Sequence, residues 1–149
     1  QPMLDQATAR DRDASVTFLQ GDALKNKQPD NHFDLVTIAY GLRNLASVEA
    51  GLCEMHRVAK PGGKILVLEF GQPPSRFLRF WYHSYLKWAV PILGKIFCRN
   101  APAYAYIHES LENYPAQDGV DKILRNLGCQ ETAIHRILGS TMTINVGVK

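Results

Sequence analysis

Apolar residues fall into two rhythms along this chain. From Val48 they recur at helical spacing through Leu52, Met55, Val58 and Ala59, behind Ser47 as a predicted N-cap and Glu49 in the first turn. Lys60-Pro61-Gly62-Gly63 is predicted to stop that helix in a turn. On either side lie near-continuous apolar runs, Phe33 to Tyr40 and Ile65 to Phe70, as expected of buried parallel strands. Strand, helix and strand in this order make a βαβ unit, which predicts a parallel sheet with helices on its faces. Upstream, residues 3–10 have helical composition, and Val16 to Gln20 alternates before stopping at Gly21, which predicts a short strand. Downstream, Asp118 to Leu127 is an amphipathic helix ended by Gly128. Thr132 to Leu138 and Met142 to Val148 are β-rich runs that close like a hairpin around Gly139-Ser140-Thr141.

Composition narrows the class. The 149 residues suit one domain, and 46% hydrophobic with 21% charged residues is a globular balance. A formal net charge of +3 is too mild to make nucleic acid the expected partner. Cys53, Cys98 and Cys129 are widely spaced and form no C-x-x-C pair, which argues against a disulfide framework or zinc knuckle and for a reducing compartment. His83 and His108 have no metal-ligand spacing, so no metal is expected. No apolar stretch is long enough to predict a membrane span, and the polar opening residues do not read as a signal peptide.

Ligands of open α/β sheets bind beyond the carboxyl ends of the strands. Three segments leave such ends: Gly21-Asp22-Ala23, Gly41-Leu42-Arg43-Asn44, and Glu69-Phe70-Gly71. Asp22 is either an ordinary Asx-turn or an acceptor for a ligand amine or hydroxyl. Arg43 is either a surface-loop arginine or a cation at the crevice. Residues 72–108 differ from the rest. Glu69 and Glu109 have no acid between them, whereas Arg76, Arg79, Lys87, Lys95, Arg99 and most of the aromatics lie there. At about 100° per residue, Arg76, Arg79, His83 and Lys87 share one quarter of a helix, and Phe77, Trp81, Tyr85 and Trp88 share another face. That is the pattern of a basic amphipathic helix lying in a membrane interface, and equally of a core-packed helix with a solvated basic face.

Phe18 to Leu24, Asp30 to Asp34, Gly41-Leu42-Arg43-Asn44 and Glu54 to Phe70 together resemble the UbiE/MenG family of quinone-biosynthesis methyltransferases. Tyr104-x-Tyr106, Glu109-Ser110 and Tyr114-Pro115 echo the same family. The resemblance implies a Rossmann-like class I methyltransferase α/β fold, with the basic aromatic segment as an insertion. It also implies methyl transfer from S-adenosylmethionine to a ring carbon of a polyprenylated quinol. By the same resemblance Gly21, Asp22, Ala23 and Ala39 border the cofactor, the last where relatives carry serine. Arg43 and Asn44 act in catalysis, and Tyr40, Trp81, Tyr85 and Tyr106 contact substrate. The implied location is cytoplasmic, at the inner face of the membrane, with a second copy or a biosynthetic complex as further partners.

The family's first two strands, its Gly-x-Gly loop and its ribose-binding acid have no counterpart in this sequence, so the fold is expected to lack them and to bind S-adenosylmethionine poorly. Smaller departures are Ala59, Gly71 where serine is usual, and Asn145 where histidine is common. The alternatives are a noncatalytic remnant that binds quinones or membranes or scaffolds a biosynthetic complex, and a methyltransferase for another lipophilic acceptor such as a sterol. Gly41-Leu42-Arg43-Asn44 favours the quinol.

Overall fold

The computed structural model describes residues 2–10, 16–92, 109–111 and 114–149. In chain order these form α1 (Pro2–Arg10), β1 (Phe33–Ala39), α2 (Val48–Val58), β2 (Ala59–Phe70), α3 (Arg76–Ser84), α4 (Ala116–Asn126), β3 (Glu131–Ile137) and β4 (Met142–Val148). A 3-10 turn at Leu42–Asn44 links β1 to α2, and α3 runs on into a π-helical segment, Tyr85–Ala89.

The βαβ unit forms as its apolar rhythm predicts. Ser47 caps α2, its hydroxyl accepting from the Ala50 amide at 3.1 Å. β1 then pairs parallel with β2. The four strands lie in the order β1-β2-β4-β3, and β4 is antiparallel to both of its neighbours. The sheet is therefore mixed, because the hairpin of β3 and β4 folds back and inserts β4 between β2 and β3. α2 and α4 pack on one face, over Leu52, Ile65, Val67, Val120 and Leu124, all fully buried. Among the described residues no helix covers the other face. There Leu35, Thr37 and Ala39 are exposed, while Leu66, Leu68, Ile144 and Val146 are half-buried.

Three expectations are corrected. Val16–Gln20 is not a strand; its residues join none of the strands of the sheet and are exposed, with Leu19 at 64%. An alternating pattern gives a strand only where a neighbour accepts its hydrogen bonds, and none of the described strands lies alongside. A parallel sheet was also expected, and the sheet is mixed, with β4 antiparallel to β2 and β3. Finally, Pro61-Gly62-Gly63 is not a turn between elements. α2 ends at Val58, and the segment is an irregularity within β2: Phe33 faces Ala59, yet Leu35 already faces Lys64. Gly62 takes φ +76°, a left-handed conformation that suits glycine. A Cβ on Gly63 would meet the Lys60 carbonyl at 2.8 Å.

Candidate functional site

The chemistry gathers at the carboxyl ends of β1 and β2. Tyr40, just past β1, adopts φ 52°, and Leu42–Asn44 tightens into the 3-10 turn behind it. This bend carries the Arg43 side chain inward, where it is only 7% exposed. Its Nη1 donates to Glu69 Oε1 at 2.5 Å and to the Tyr40 carbonyl at 2.9 Å. Its Nε donates to Ser110 Oγ at 3.0 Å. The guanidinium carbon lies 4.9 Å from the centre of the Phe70 ring, a cation–π distance. Tyr40 leans on the same ring, with centroids 5.1 Å apart.

Glu69 is almost wholly buried, at 1%. A buried carboxylate is tolerable only when paired and hydrogen-bonded, and Arg43 supplies the pairing. Two tyrosines lie in the field of this pair. Burial pushes the Tyr82 phenol up to about 12; the Arg43 charge opposes the shift, and Glu69 and Tyr40 reinforce it. Tyr114 is pushed further, again mainly by burial. Both phenols remain protonated at neutral pH, as hydrogen-bond donors rather than bases. A cavity of about 380 Å³ is lined by Arg43, Ser110, Tyr114 and Glu49 among others.

Arg43 and Tyr40 are thus brought together. Asn44 is exposed and reaches the Tyr40 carbonyl at 3.4 Å. Gly21, Asp22 and Ala23 share a second, separate cavity of about 550 Å³ with Lys25 and Lys27. There Asp22 forms an Asx-turn, its Oδ1 accepting from the Leu24 amide at 2.9 Å. Ala39 sits at the end of β1 on the open face of the sheet, facing neither cavity. Trp81 and Tyr85 are 59% and 51% exposed on α3 and its π-helical extension. Tyr104 and Tyr106 lie outside the described residues.

Tyr82 escaped the sequence reading, and Glu69, Ser110 and Tyr114 lay in segments it singled out without being given a role at the site. Glu69 had a signal: it is the single acid at the end of a strand of apolar residues, ILVLEF.

A model of the ubiE/COQ5 methyltransferase family matches residues 1–149. The chain belongs to that family. It is 37% identical over 147 residues to the ubiquinone/menaquinone biosynthesis C-methyltransferase UbiE of Azotobacter vinelandii, and 38% identical to that of Ectopseudomonas mendocina. Each match covers 99% of this chain and 56% of the relative, so the chain spans little more than half the length of these proteins. Among solved structures, a SAM-dependent methyltransferase from Thermotoga maritima superposes with a TM-score of 0.68 at 17% identity, covering 100% of this chain and 70% of that one. A second, from Aquifex aeolicus, gives 0.58 at 16% identity, over 99% and 60%. At these identities the likeness is one of fold, the class I methyltransferase fold, to which the order β1-β2-β4-β3 with its closing antiparallel hairpin corresponds.

Proposed function

We propose that this chain carries the acceptor side of a quinol C-methyltransferase, which moves a methyl group from S-adenosylmethionine to a ring carbon of a polyprenylated quinol. Supporting this are the names borne by the relatives of the matched length and, within the chain, one observation above all: a guanidinium held in a buried, aromatic-walled site at the strand ends. Ring-carbon methylation needs electron density on the ring. A quinol oxygen must therefore lose its proton as the carbon–carbon bond forms, and the ring proton leaves afterwards to restore aromaticity. A fixed cation beside that oxygen lowers the barrier by stabilising the developing oxyanion. Arg43 is always charged, so it stabilises the anion without acting as its base. Tyr82 and Tyr114, held protonated, are likewise donors only. Water entering the 380 Å³ cavity is the proposed proton acceptor.

The residues at the second cavity fit the adenine end of the cofactor. The Asp22 side chain is exposed and commits Oδ1 to the Leu24 amide, leaving Oδ2 to accept from an exocyclic amine, and a Cβ at Gly21 would meet nothing within 4 Å. Gly21, Asp22 and Ala23 would hold that end. S-adenosylmethionine, when bound, supplies an electrophilic methyl group on a sulfonium.

A polyprenylated quinol lives in a bilayer, and α3 suits a bilayer surface. Phe77, Phe80, Trp81 and Trp88 are 59–70% exposed beside Arg76, Arg79 and Lys87. No helix among the described residues is long and apolar enough to cross a membrane. Contact is thus proposed to be peripheral, at the cytoplasmic face.

Arg43→Ala tests the reading. Measured in the protein as the cell makes it, with a short-chain demethylquinol, kcat should fall about 10²–10³-fold with KM for S-adenosylmethionine little changed. An unchanged rate would overturn it.

A further inference from the structure

We propose that Glu69, seconded by Ser110, is a positioning residue that aims Arg43 at the reacting quinol oxygen; this rests on the reading that Arg43 faces that oxygen. Glu69 grips Arg43 at two places. Its Oε1 accepts from Nη1 at 2.5 Å, and its Oε2 accepts from the Arg43 backbone amide at 3.3 Å. Oε1 also accepts from the Phe70 amide at 3.0 Å, which ties the carboxylate to its own strand. Ser110 Oγ takes Nε, the Tyr40 carbonyl takes Nη1 a second time, and the Phe70 ring supports the guanidinium face.

A guanidinium has five N–H donors in a rigid fork. Nε and both Nη1 hydrogens are engaged within the protein. Among the described residues Nη2 alone has no partner, so its two diverging N–H groups remain to donate to ligand oxygens. The orientation of that pair is set before substrate arrives, because four groups from three separate segments determine where the fork lies. Preorganisation of this kind matters when charge develops on the substrate, since the donors need not reorganise at that moment. Glu69 itself is a poor candidate for the base, for both its oxygens are committed to donors.

The test compares Arg43→Ala, Glu69→Gln, Glu69→Asp, Ser110→Ala and the Arg43→Ala/Glu69→Gln double variant in the protein as the cell makes it. Glu69→Gln should lower kcat about 10–100-fold, as loss of an orienting partner does, with KM for S-adenosylmethionine within about twofold of wild type. Glu69→Asp, which keeps the charge, should recover part of the rate. The double variant should be no slower than Arg43→Ala alone, because Glu69 acts only through Arg43. Glu69→Gln at the wild-type rate beside a crippled Arg43→Ala would overturn the positioning role. Arg43→Ala at the wild-type rate would instead remove the reading beneath it. Should Glu69→Gln not fold, Ser110→Ala decides: it frees Nε and should cost several-fold in kcat, and no loss would overturn the proposal.

Discussion

Tyr82 marks the site by its ionisation. Its hydroxyl donates to the Thr141 carbonyl at 3.3 Å, and burial raises its pKa from 10.0 to about 12. Below pH 10 the phenol is protonated in both the folded and the unfolded chain, so what Tyr82 contributes to stability is fully present. Between about pH 10 and 12 only the unfolded chain ionises there, which favours unfolding, and the contribution is lost as pH rises. Urea unfolding at pH 9 and 11 should show the midpoint of the wild-type chain falling further than that of Tyr82→Phe. Equal falls would mean that the phenol does not titrate as its burial implies. Gly71 tells a related story at the same scale. Its amide donates to the Thr141 carbonyl at 3.0 Å, and a Cβ there would lie 2.5 Å from the Ser140 carbonyl and 2.6 Å from Thr143 Cγ2. Glycine at 71, where the family resemblance leads one to expect serine, is thus the residue that lets β2 leave the sheet against the closing hairpin.

Among the elements, α3 has the most unusual surface. Phe77, Phe80 and Trp81 are ring-stacked edge to face, and the Lys87 ammonium lies 5.7 Å from the Trp88 ring, so cations and aromatics share one exposed flank. The lead-in to this helix is tethered to the core. Gln72 and Gln117 exchange two hydrogen bonds of 2.8 and 2.9 Å, and Asn145 Nδ2 donates to the Gln117 carbonyl at 2.8 Å. Trp81→Glu with Trp88→Glu should therefore reduce cosedimentation with anionic liposomes while leaving the β-sheet circular dichroism intact, because neither ring contributes to the core. Undiminished cosedimentation would end the membrane reading. The contrast with the strands explains how much the sequence could tell. α2, α4, β1 and β2 were legible because their rhythm is imposed by a core they all touch. Val16–Gln20 shares the rhythm of a strand yet joins none of the sheet's strands, which no local pattern reveals. At the site, Arg43 was legible from its loop, but its companions were not: Glu69 reaches it through the β1–β2 pairing and Ser110 from 67 positions away.

Among the described residues the sheet has two unlike faces, and the affinity for the cofactor should follow from that. One face of the sheet is closed by α2 and α4, whereas the other presents Leu35 at 51% exposure with Thr37 and Ala39 in a row along the edge strand β1. Gly21, Asp22 and Ala23 lie in one cavity, Arg43 in another, and Ala39 on the open face between strand and solvent. A ligand of this size is held tightly when one crevice buries most of its surface and offers several convergent polar groups. Here the residues proposed for the adenine end are themselves exposed, and Arg43 lies in a separate cavity. Residues 1–149 alone should accordingly bind S-adenosylmethionine with a dissociation constant weaker than about 1 mM, equivalent to less than about 4 kcal/mol. Titration calorimetry on the isolated chain measures this directly. Micromolar binding would mean that the two cavities close into one crevice when the ligand arrives, and that the open face is no obstacle to the cofactor.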